Sequence, residues 1–118
     1  MLKLIHAKGY ETSPIELRKA KGYWAGMRPV LVARPQNLAN GLRCANVLFI
    51  SHGRYVGRDS GGCHLYPEIS WSGGREVSIV YPRYAKQDPL CCATLNPVRV
   101  IFRLVGGHVK PVRHAPPG

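Results

Sequence analysis

The sequence predicts an α+β, β-rich fold with one short N-terminal helix and a mainly antiparallel sheet of about six strands. Three observations support this fold. The 118 residues include 13 Gly and 10 Pro, which indicates many turns and short elements. A clear helix signal occurs only before residue 22, and the apolar runs that follow have the length of strands. Because no strand–helix–strand alternation follows the helix, the strands are expected to pair antiparallel.

The helix is predicted from a capping pattern. Ser13 is a good N-cap, Pro14 suits the first helical position, and Glu16 stands three residues after Ser13, as a capping box requires. The helix is expected to run through Lys21 and to end at Gly22.

Two buried strands are predicted next, at Pro29–Ala33 and Asn46–Ile50, with a loop over residues 35–41 between them. A tight turn at Ser51–Gly53 then leads into Arg54–Gly57, which predicts a hairpin.

Further strands are predicted at His64–Ser70, at Arg75–Arg83 and in a final hairpin of Val98–Val105 and His108–Arg113, with residues 84–96 irregular between them. Gly106-Gly107 meets the positive-φ demand of a two-residue hairpin turn.

The turn fixes the expected register of the final hairpin. Val105 is placed opposite His108, and the pairing continues through Leu104 with Val109, Arg103 with Lys110 and Phe102 with Pro111. The expected core face consists of Val98, Val100, Phe102, Leu104 and Val109. On the other face Arg103 stands beside Lys110, and both long side chains are expected to extend into solvent.

The net charge of the chain limits the classes of binding partner to be expected. The chain has 17 Lys and Arg against 6 Asp and Glu, a formal net charge of +11, which favours nucleic acid, an acidic lipid surface or an anionic envelope polymer. The cations are dispersed, so a solvated basic surface is the alternative. The candidate anion-binding residues, which form the densest group, are Arg99, Arg103, Lys110 and Arg113.

Two other functions remain open from the residues. Basic and aromatic residues alternate in a pattern that suits single-stranded nucleic acid, with Arg54, Tyr55, Arg58, Arg75, Arg83 and Tyr84 as candidates. A small metal-independent ribonuclease is the third hypothesis, with His52, His64, His108 or His114 acting beside Glu68 or Glu76. Phosphate-binding loops, zinc-protease motifs and a nucleophile elbow are absent from the sequence, so no catalytic residue, metal or cofactor is assigned.

The four cysteines, Cys44, Cys63, Cys91 and Cys92, are disulfide candidates. A bond between neighbours Cys91 and Cys92 would be strained, which favours Cys44 and Cys63 each pairing with one member of that neighbouring pair. Free buried thiols and a metal site are the alternatives, although the spacing typical of zinc ligands is missing.

Four parts of the chain resemble one family in the same order. Val47–Gly57 resembles an LFFH-x-GRYLG segment, Val77–Tyr81 a V-x-V-x-Y strand, and Asp88–Cys92 a D-x-x-CC element. Val98–Arg103 and Gly106–Pro111 resemble a closing V-R-F-R-W-x-G-x-x-V-x-P hairpin. These elements are those of LppP/LprE-type actinobacterial lipoproteins, and the resemblance covers residues 45–113.

The resemblance implies a β-rich, envelope-associated or secreted domain. We therefore expect a non-enzymatic binding or interaction module whose ligand is an anionic envelope polymer, a lipid surface or a protein. No transmembrane segment or signal peptide is recognisable in this chain, so a cytoplasmic location is the alternative. One domain is expected over residues 1–118, with the helix and first strand in 1–40, the family-like region in 45–113 and a tail at 114–118.

Overall fold

The computed structural model describes residues 1–36, 44–89 and 91–114. Two helices precede the strands: α1 (Leu2–Ala7) and α2 (Pro14–Lys21). The strands are β1 (Arg28–Val32), β2 (Cys44–Ser51), β3 (Arg54–Arg58), β4 (His64–Leu65), β5 (Glu68–Gly73), β6 (Glu76–Arg83), β7 (Leu95–Val105) and β8 (His108–His114).

The strands form two antiparallel four-stranded sheets, not one sheet of about six strands. The first sheet has the order β1-β2-β3, with β4 paired to the start of β2, and the second has the order β5-β6-β7-β8. The antiparallel, β-rich prediction is confirmed. The predicted number of strands was too low, partly because the predicted strand at His64–Ser70 is two strands, β4 and β5, which belong to different sheets.

The single-helix prediction was also wrong, because α1 precedes the predicted helix. It begins without a side-chain cap at Met1, which explains why no helix start was predicted there. Gly9, at φ +86°, ends it: the Gly9 N–H bonds the His6 carbonyl at 3.0 Å and the Tyr10 N–H bonds the Ile5 carbonyl at 3.1 Å. This is a Schellman ending, which requires a left-handed residue and so favours glycine.

The predicted helix is confirmed as α2. The Ser13 hydroxyl accepts the Glu16 N–H at 3.1 Å, Pro14 opens the helix, and Gly22 is its C-cap.

The molecule has three layers: the helices, the first sheet and the second sheet. One core lies between the helices and the first sheet, where Ile5, Tyr10 and Ala20 pack with residues of β1 and β2. The other lies between the sheets and includes Phe49 and Phe102, whose ring centroids are 5.2 Å apart. Strand β2 contributes to both cores, which explains why its apolar run is continuous rather than alternating.

The predicted hairpin at Ser51–Gly53 joins β2 to β3. His52 and Gly53 both have positive φ, at 48° and 78°, as a tight hairpin turn requires. A bulge then shifts the register, so that Tyr55 pairs with Ile50 and Arg58 with Leu48. In a regular strand Tyr55 and Arg58 would face opposite sides; the bulge places both on the helix side.

The register predicted for the final hairpin is confirmed from Val105 with His108 to Phe102 with Pro111. Phe102 is buried and Val98, Val100, Leu104 and Val109 are partly buried, as expected of the core face. Strand β7 begins at Leu95, three residues before the predicted start, and β6 continues past Pro82 through an irregular register. Arg103 and Lys110 are both exposed, as predicted, and Arg103 in addition forms an ion pair with Glu76 of β6.

Parts of the sequence predictions lie outside the described residues. In the expected loop over residues 35–41, only Pro35 and Gln36 are described, in a short 3₁₀ turn. In the expected tail, His114 is the last residue of β8, and residues 115–118 lie outside the description.

Candidate functional site

Three of the four predicted anion-binding residues, Arg99, Arg103 and Lys110, share one face of the second sheet, which we call the outer face. In the strand register, Arg103 lies opposite Glu76 of β6 and Lys110 of β8. Arg99 lies opposite Val80, and Arg113 lies opposite Ile101. Paired residues of antiparallel strands lie on the same face, as do alternate residues of one strand. Because Phe102 and Val100 face the core between the sheets, the outer face is turned away from the first sheet.

The cations of the outer face differ in their partners. Glu76 accepts a hydrogen bond of 2.6 Å from Arg103 Nε and forms an ion pair with the same guanidinium. Within residues 1–36, 44–89 and 91–114, neither Arg99 nor Lys110 has an ion pair. Both are exposed, so their charges are available to an anion from solvent.

Trp71 adds an exposed aromatic ring to the outer face. It pairs with Ser78 of β6, beside the Glu76 and Arg103 row, and is 54% exposed. The ring lies against Gly73, where a Cβ would be 2.9 Å from Trp71 Cζ2. Glycine at this position leaves room for the ring, because a Cβ there would be too close to it.

The six residues of the nucleic-acid hypothesis are distributed over both sheets. Arg54, Tyr55 and Arg58 belong to β3 of the first sheet, with Arg54 at the turn. In the second sheet, Arg75 lies in the turn before β6, and Arg83 and Tyr84 lie at the end of β6. The bulge brings Tyr55 and Arg58 together, but the strand positions of the six do not define one continuous stacking surface.

Around Tyr10 the structure brings together residues that the sequence did not connect. The Tyr10 hydroxyl accepts hydrogen bonds from Arg58 Nη1 at 3.0 Å and from Arg34 Nη2 at 3.3 Å. The Arg34 guanidinium also lies 4.6 Å from the centroid of the Tyr10 ring. Lys8 Nζ lies 4.4 Å from the centroid of the Tyr55 ring. We call Lys8, Tyr10, Arg34, Tyr55 and Arg58 the Tyr10 cluster.

The Tyr10 cluster carries positive charge. The hydrogen bond to Tyr10 raises the pKa of the Arg58 guanidinium further above its ordinary value. Burial raises the pKa of the Tyr55 phenol, although Arg58 acts in the opposite direction. Tyr55 therefore stays uncharged at neutral pH and does not offset the positive charges around it.

A polar network near the start of β2 holds the segment between β3 and β4. Asp59 Oδ1 accepts from the backbone N–H of Val47 and Ser60 at 3.1 and 2.9 Å and from Asn46 Nδ2 at 3.1 Å. Asp59 Oδ2 accepts from the Tyr81 hydroxyl at 2.9 Å. Burial raises the pKa of Tyr81, and the neighbouring Asp59 carboxylate adds to the shift, so the phenol remains a donor.

Ser60 and His64 form a close pair within this network, with Ser60 Oγ 2.7 Å from His64 Nε2. The Ser60 hydroxyl donates to the Gly62 carbonyl at 2.7 Å, so its oxygen is left to accept from His64. In a nucleophile and base pair the serine donates to the histidine instead. The His64 ring packs on Tyr81, with centroids 4.6 Å apart, and the pair holds the loop in place.

The histidines of the ribonuclease hypothesis occupy separate elements. His52 lies in the β2–β3 turn, His64 on β4, and His108 and His114 at the two ends of β8. Of the two candidate carboxylates, Glu76 is engaged by Arg103, and Glu68 opens β5.

The predicted disulfide pairings were wrong. Cys44 of β2 is joined to Cys63, with Cα atoms 5.2 Å apart, and Cys91 is joined to Cys92. The pairing of β4 with the start of β2 brings Cys63, which directly precedes β4, beside Cys44. The expectation of disulfide formation is confirmed for Cys44–Cys63. In the part of the chain that is described, no group of three or more His, Cys, Asp or Glu is arranged to hold a metal ion.

One groove of about 210 Å³ lies between α2, β1 and the start of β5, with Glu16, Lys19 and Tyr23 in its lining. It is smaller than the roughly 300–1,000 Å³ typical of small-molecule pockets. Its Lys19 is paired with Glu16 at 3.7 Å, so this groove is a weaker candidate for anion binding than the outer face.

Fold and surface chemistry together define a small, disulfide-bonded, three-layer β-rich domain with exposed basic groups. A family model described as LppP/LprE lipoprotein matches residues 29–107, from β1 to the β7–β8 turn. The chain belongs to the LppP/LprE lipoprotein family. No curated protein and no solved structure matches it significantly. Among the described helices, none has the length and apolar content needed to cross a membrane.

Proposed function

We propose that this protein is a non-enzymatic, envelope-associated binding domain that holds an anionic envelope polymer on the outer face of the second sheet. Membership of a lipoprotein family supports envelope association. The observation that carries the choice of surface is the pair of exposed cations, Arg99 and Lys110, that lack a carboxylate partner among the described residues.

The layout of the outer face suits an extended polymer better than a compact ligand. Arg99 and Arg103 are four residues apart on one strand, a separation of about 13 Å at the rise of a β-strand. Lys110 stands on the neighbouring strand, about 5 Å from Arg103. A chain with repeated negative groups reaches several of these cations at once, and its contacts with them add in avidity.

Trp71 favours a polymer whose backbone consists of sugar rings or other cyclic units. Trp71 is more than half exposed, and its ring lies against Gly73. A fixed aromatic ring provides apolar contact area without ordering a flexible side chain on binding.

Polygalacturonate and neutral dextran are suitable probes, titrated at low ionic strength. The test variant is Arg99→Gln/Lys110→Gln. Its matched control, Lys3→Gln/Arg18→Gln, removes two exposed charges from the helix layer. We expect the outer-face variant to bind polygalacturonate about tenfold more weakly, the control to change affinity less than about twofold, and dextran not to bind.

Two results would overturn the proposal: no binding of polygalacturonate at low salt, or equal losses in the two double variants. Single-stranded RNA in the same titration tests the nucleic-acid alternative. If RNA binds more tightly than polygalacturonate and its affinity is insensitive to the outer-face substitutions, the protein is a nucleic-acid binder that uses another surface.

A further inference from the structure

We propose that the Tyr10 cluster is a binding site for a phosphate group, in which Arg34 and Arg58 bind the oxyanion and Lys8 adds a third positive charge. The site lies on the helix side of the first sheet. It is separated from the outer face by both sheets, and the proposal does not depend on the function assigned to that face.

The two guanidinium groups are oriented before any ligand arrives. Each donates one N–H to the same oxygen of Tyr10, at 3.0 Å for Arg58 and 3.3 Å for Arg34. Tyr10 itself is only 3% exposed and is packed in the core beneath the helices. A buried phenol thus fixes two flexible side chains at one place, which lowers the entropy cost of binding.

The donors of the cluster are largely unused. A guanidinium has five N–H groups, and in the described part of the chain each arginine uses one of them, on Tyr10. Phosphate accepts paired N–H donors from guanidinium in a fork geometry. Arg58 and Lys8 are exposed and Arg34 is half-buried, so an oxyanion reaches the donors from solvent.

The positive charge of the cluster is not balanced by a paired carboxylate. Glu11, the acid that follows Tyr10, pairs with His6 at 2.8 Å. Asp59, the acid that follows Arg58, gives its oxygens to Tyr81, Asn46 and two backbone N–H groups. Within the described residues, none of Lys8, Arg34 and Arg58 has an ion pair. Two cations held close to one oxygen repel each other, and a bound dianion would relieve that repulsion.

Three features of the fold converge to build the site. The Schellman ending of α1 turns the chain at Gly9, so that Lys8 and Tyr10 flank the turn. Arg34 crosses over this glycine, with Nη1 3.4 Å from where a Cβ would lie. The bulge in β3 places Tyr55 and Arg58 on the same side. Because the three segments are far apart in sequence, their convergence depends on tertiary structure.

The test is a titration of ¹⁵N-labelled protein with inorganic phosphate, compared with chloride at equal ionic strength. We expect saturable shifts in the side-chain Nε–H signals of Arg34 and Arg58 and in the backbone amides of residues 8–10. Arg34→Gln/Arg58→Gln should bind about tenfold more weakly or not at all. Arg58→Lys should show an intermediate loss, because it keeps the charge and loses the fork.

The control variant is Arg99→Gln/Lys110→Gln, which should bind phosphate as the unsubstituted protein does. This control separates the two proposals, because the variant changes the outer face and leaves the Tyr10 cluster intact. A loss of polygalacturonate binding in this variant therefore concerns the outer face alone. Should the arginine double variant fail to fold, the shift map of the unsubstituted protein still decides. Shifts distributed evenly over surface cations, or none around Tyr10, would overturn the site.

Vesicles distinguish the source of the phosphate. Phosphatidylcholine vesicles with and without phosphatidic acid are tested for co-sedimentation with the protein. Saturation by inorganic phosphate alone identifies a soluble phosphate or phosphomonoester as ligand. Binding only to vesicles that contain phosphatidic acid, lost in Arg34→Gln/Arg58→Gln, identifies a lipid headgroup. If neither probe binds, the proposal is wrong.

Discussion

The hydroxyl of Tyr81, on β6 of the second sheet, donates a hydrogen bond of 2.9 Å to Asp59, in the segment that follows β3 of the first sheet. The other oxygen of the same carboxylate accepts the backbone N–H groups of Val47 and Ser60. One acid therefore links the two sheets and fixes the β3–β4 segment. Hydrogen bonds to a partly buried carboxylate are stronger than those between neutral groups.

Replacing Asp59 should be among the most destabilising polar substitutions in the chain. Asp59→Ala removes the acceptor for four donors, and we expect a loss of about 3 kcal/mol in the free energy of unfolding, measured by urea denaturation. Tyr81→Phe removes one of the four hydrogen bonds and should cost about 1–2 kcal/mol. Asp59→Asn, which keeps one acceptor oxygen, is the matched control. Its loss of stability should lie between the losses for Asp59→Ala and Tyr81→Phe. Equal stability of Asp59→Ala and the unsubstituted protein would show that the network contributes nothing.

Gly57 should not tolerate a side chain. Its φ is +152°, and a Cβ would lie 3.1 Å from the Cβ of Val109 on β8. We expect Gly57→Ala to lose about 1–3 kcal/mol of stability, because both backbone strain and the close contact oppose it. At Gly61 the nearest atom to an added Cβ is Arg58 Nη2 at 4.0 Å, so Gly61→Ala should change stability by less than about 0.5 kcal/mol. Thermal melts that rank the two variants in reverse would contradict this account.

The two disulfides should contribute unequally to stability. Cys44 and Cys63 are 19 residues apart, and in the chain-entropy model closing a loop of that size stabilises the fold by about 3 kcal/mol. Cys91 and Cys92 are adjacent, so their bond encloses no loop in the unfolded chain. Cys44→Ala/Cys63→Ala should therefore be much less stable than Cys91→Ala/Cys92→Ala in urea denaturation. Non-reducing peptide mapping tests the pairing directly, and a peptide joining Cys44 to Cys91 or Cys92 would exclude it.

Asp88 gives the fold an acid-sensitive contact. Hydrogen bonds from the backbone N–H groups of Thr94 and Ala85 lower the pKa of its carboxyl below the ordinary 3.8. The folded state therefore favours the ionised form, and its contribution is present above the ordinary pKa and lost as the pH falls through the lowered value. The difference in melting temperature between the unsubstituted protein and Asp88→Asn should be constant near neutral pH and shrink below about pH 4. A difference that grows on acidification would contradict the assignment.

Local signals in the sequence were sufficient for several elements. Helix α2 follows from Ser13, Pro14 and Glu16, which act within one turn. The β7–β8 register follows from Gly106-Gly107, because a two-residue turn leaves one register for the strands it joins. Both predictions depend on residues that are neighbours in the chain, which explains why they needed no knowledge of the tertiary structure.

The remaining features depend on contacts between distant segments. The hydrophobic run of β2 indicates a buried strand but does not reveal that helices cover one side and a second sheet the other. The bulge that brings Arg58 to Tyr10 has Gly57 as its only sequence signal. The pairing of Cys44 with Cys63 follows from β4 lying against β2, and β4 is a strand of two residues. Gly9 was a usable signal for the end of α1, since glycine often follows a helix.

The membership of β2 in both cores bears on how the molecule unfolds. Leu48 and Ile50 pack under the helices, while Val47 and Phe49 pack against the second sheet. Neither core can open without removing support from a strand that the other core needs. We therefore expect the helix layer and the second sheet to unfold together, with the amide hydrogens of β2 exchanging with solvent only through global opening. Hydrogen exchange that releases β2 before β6 or β7 would show two independently unfolding units.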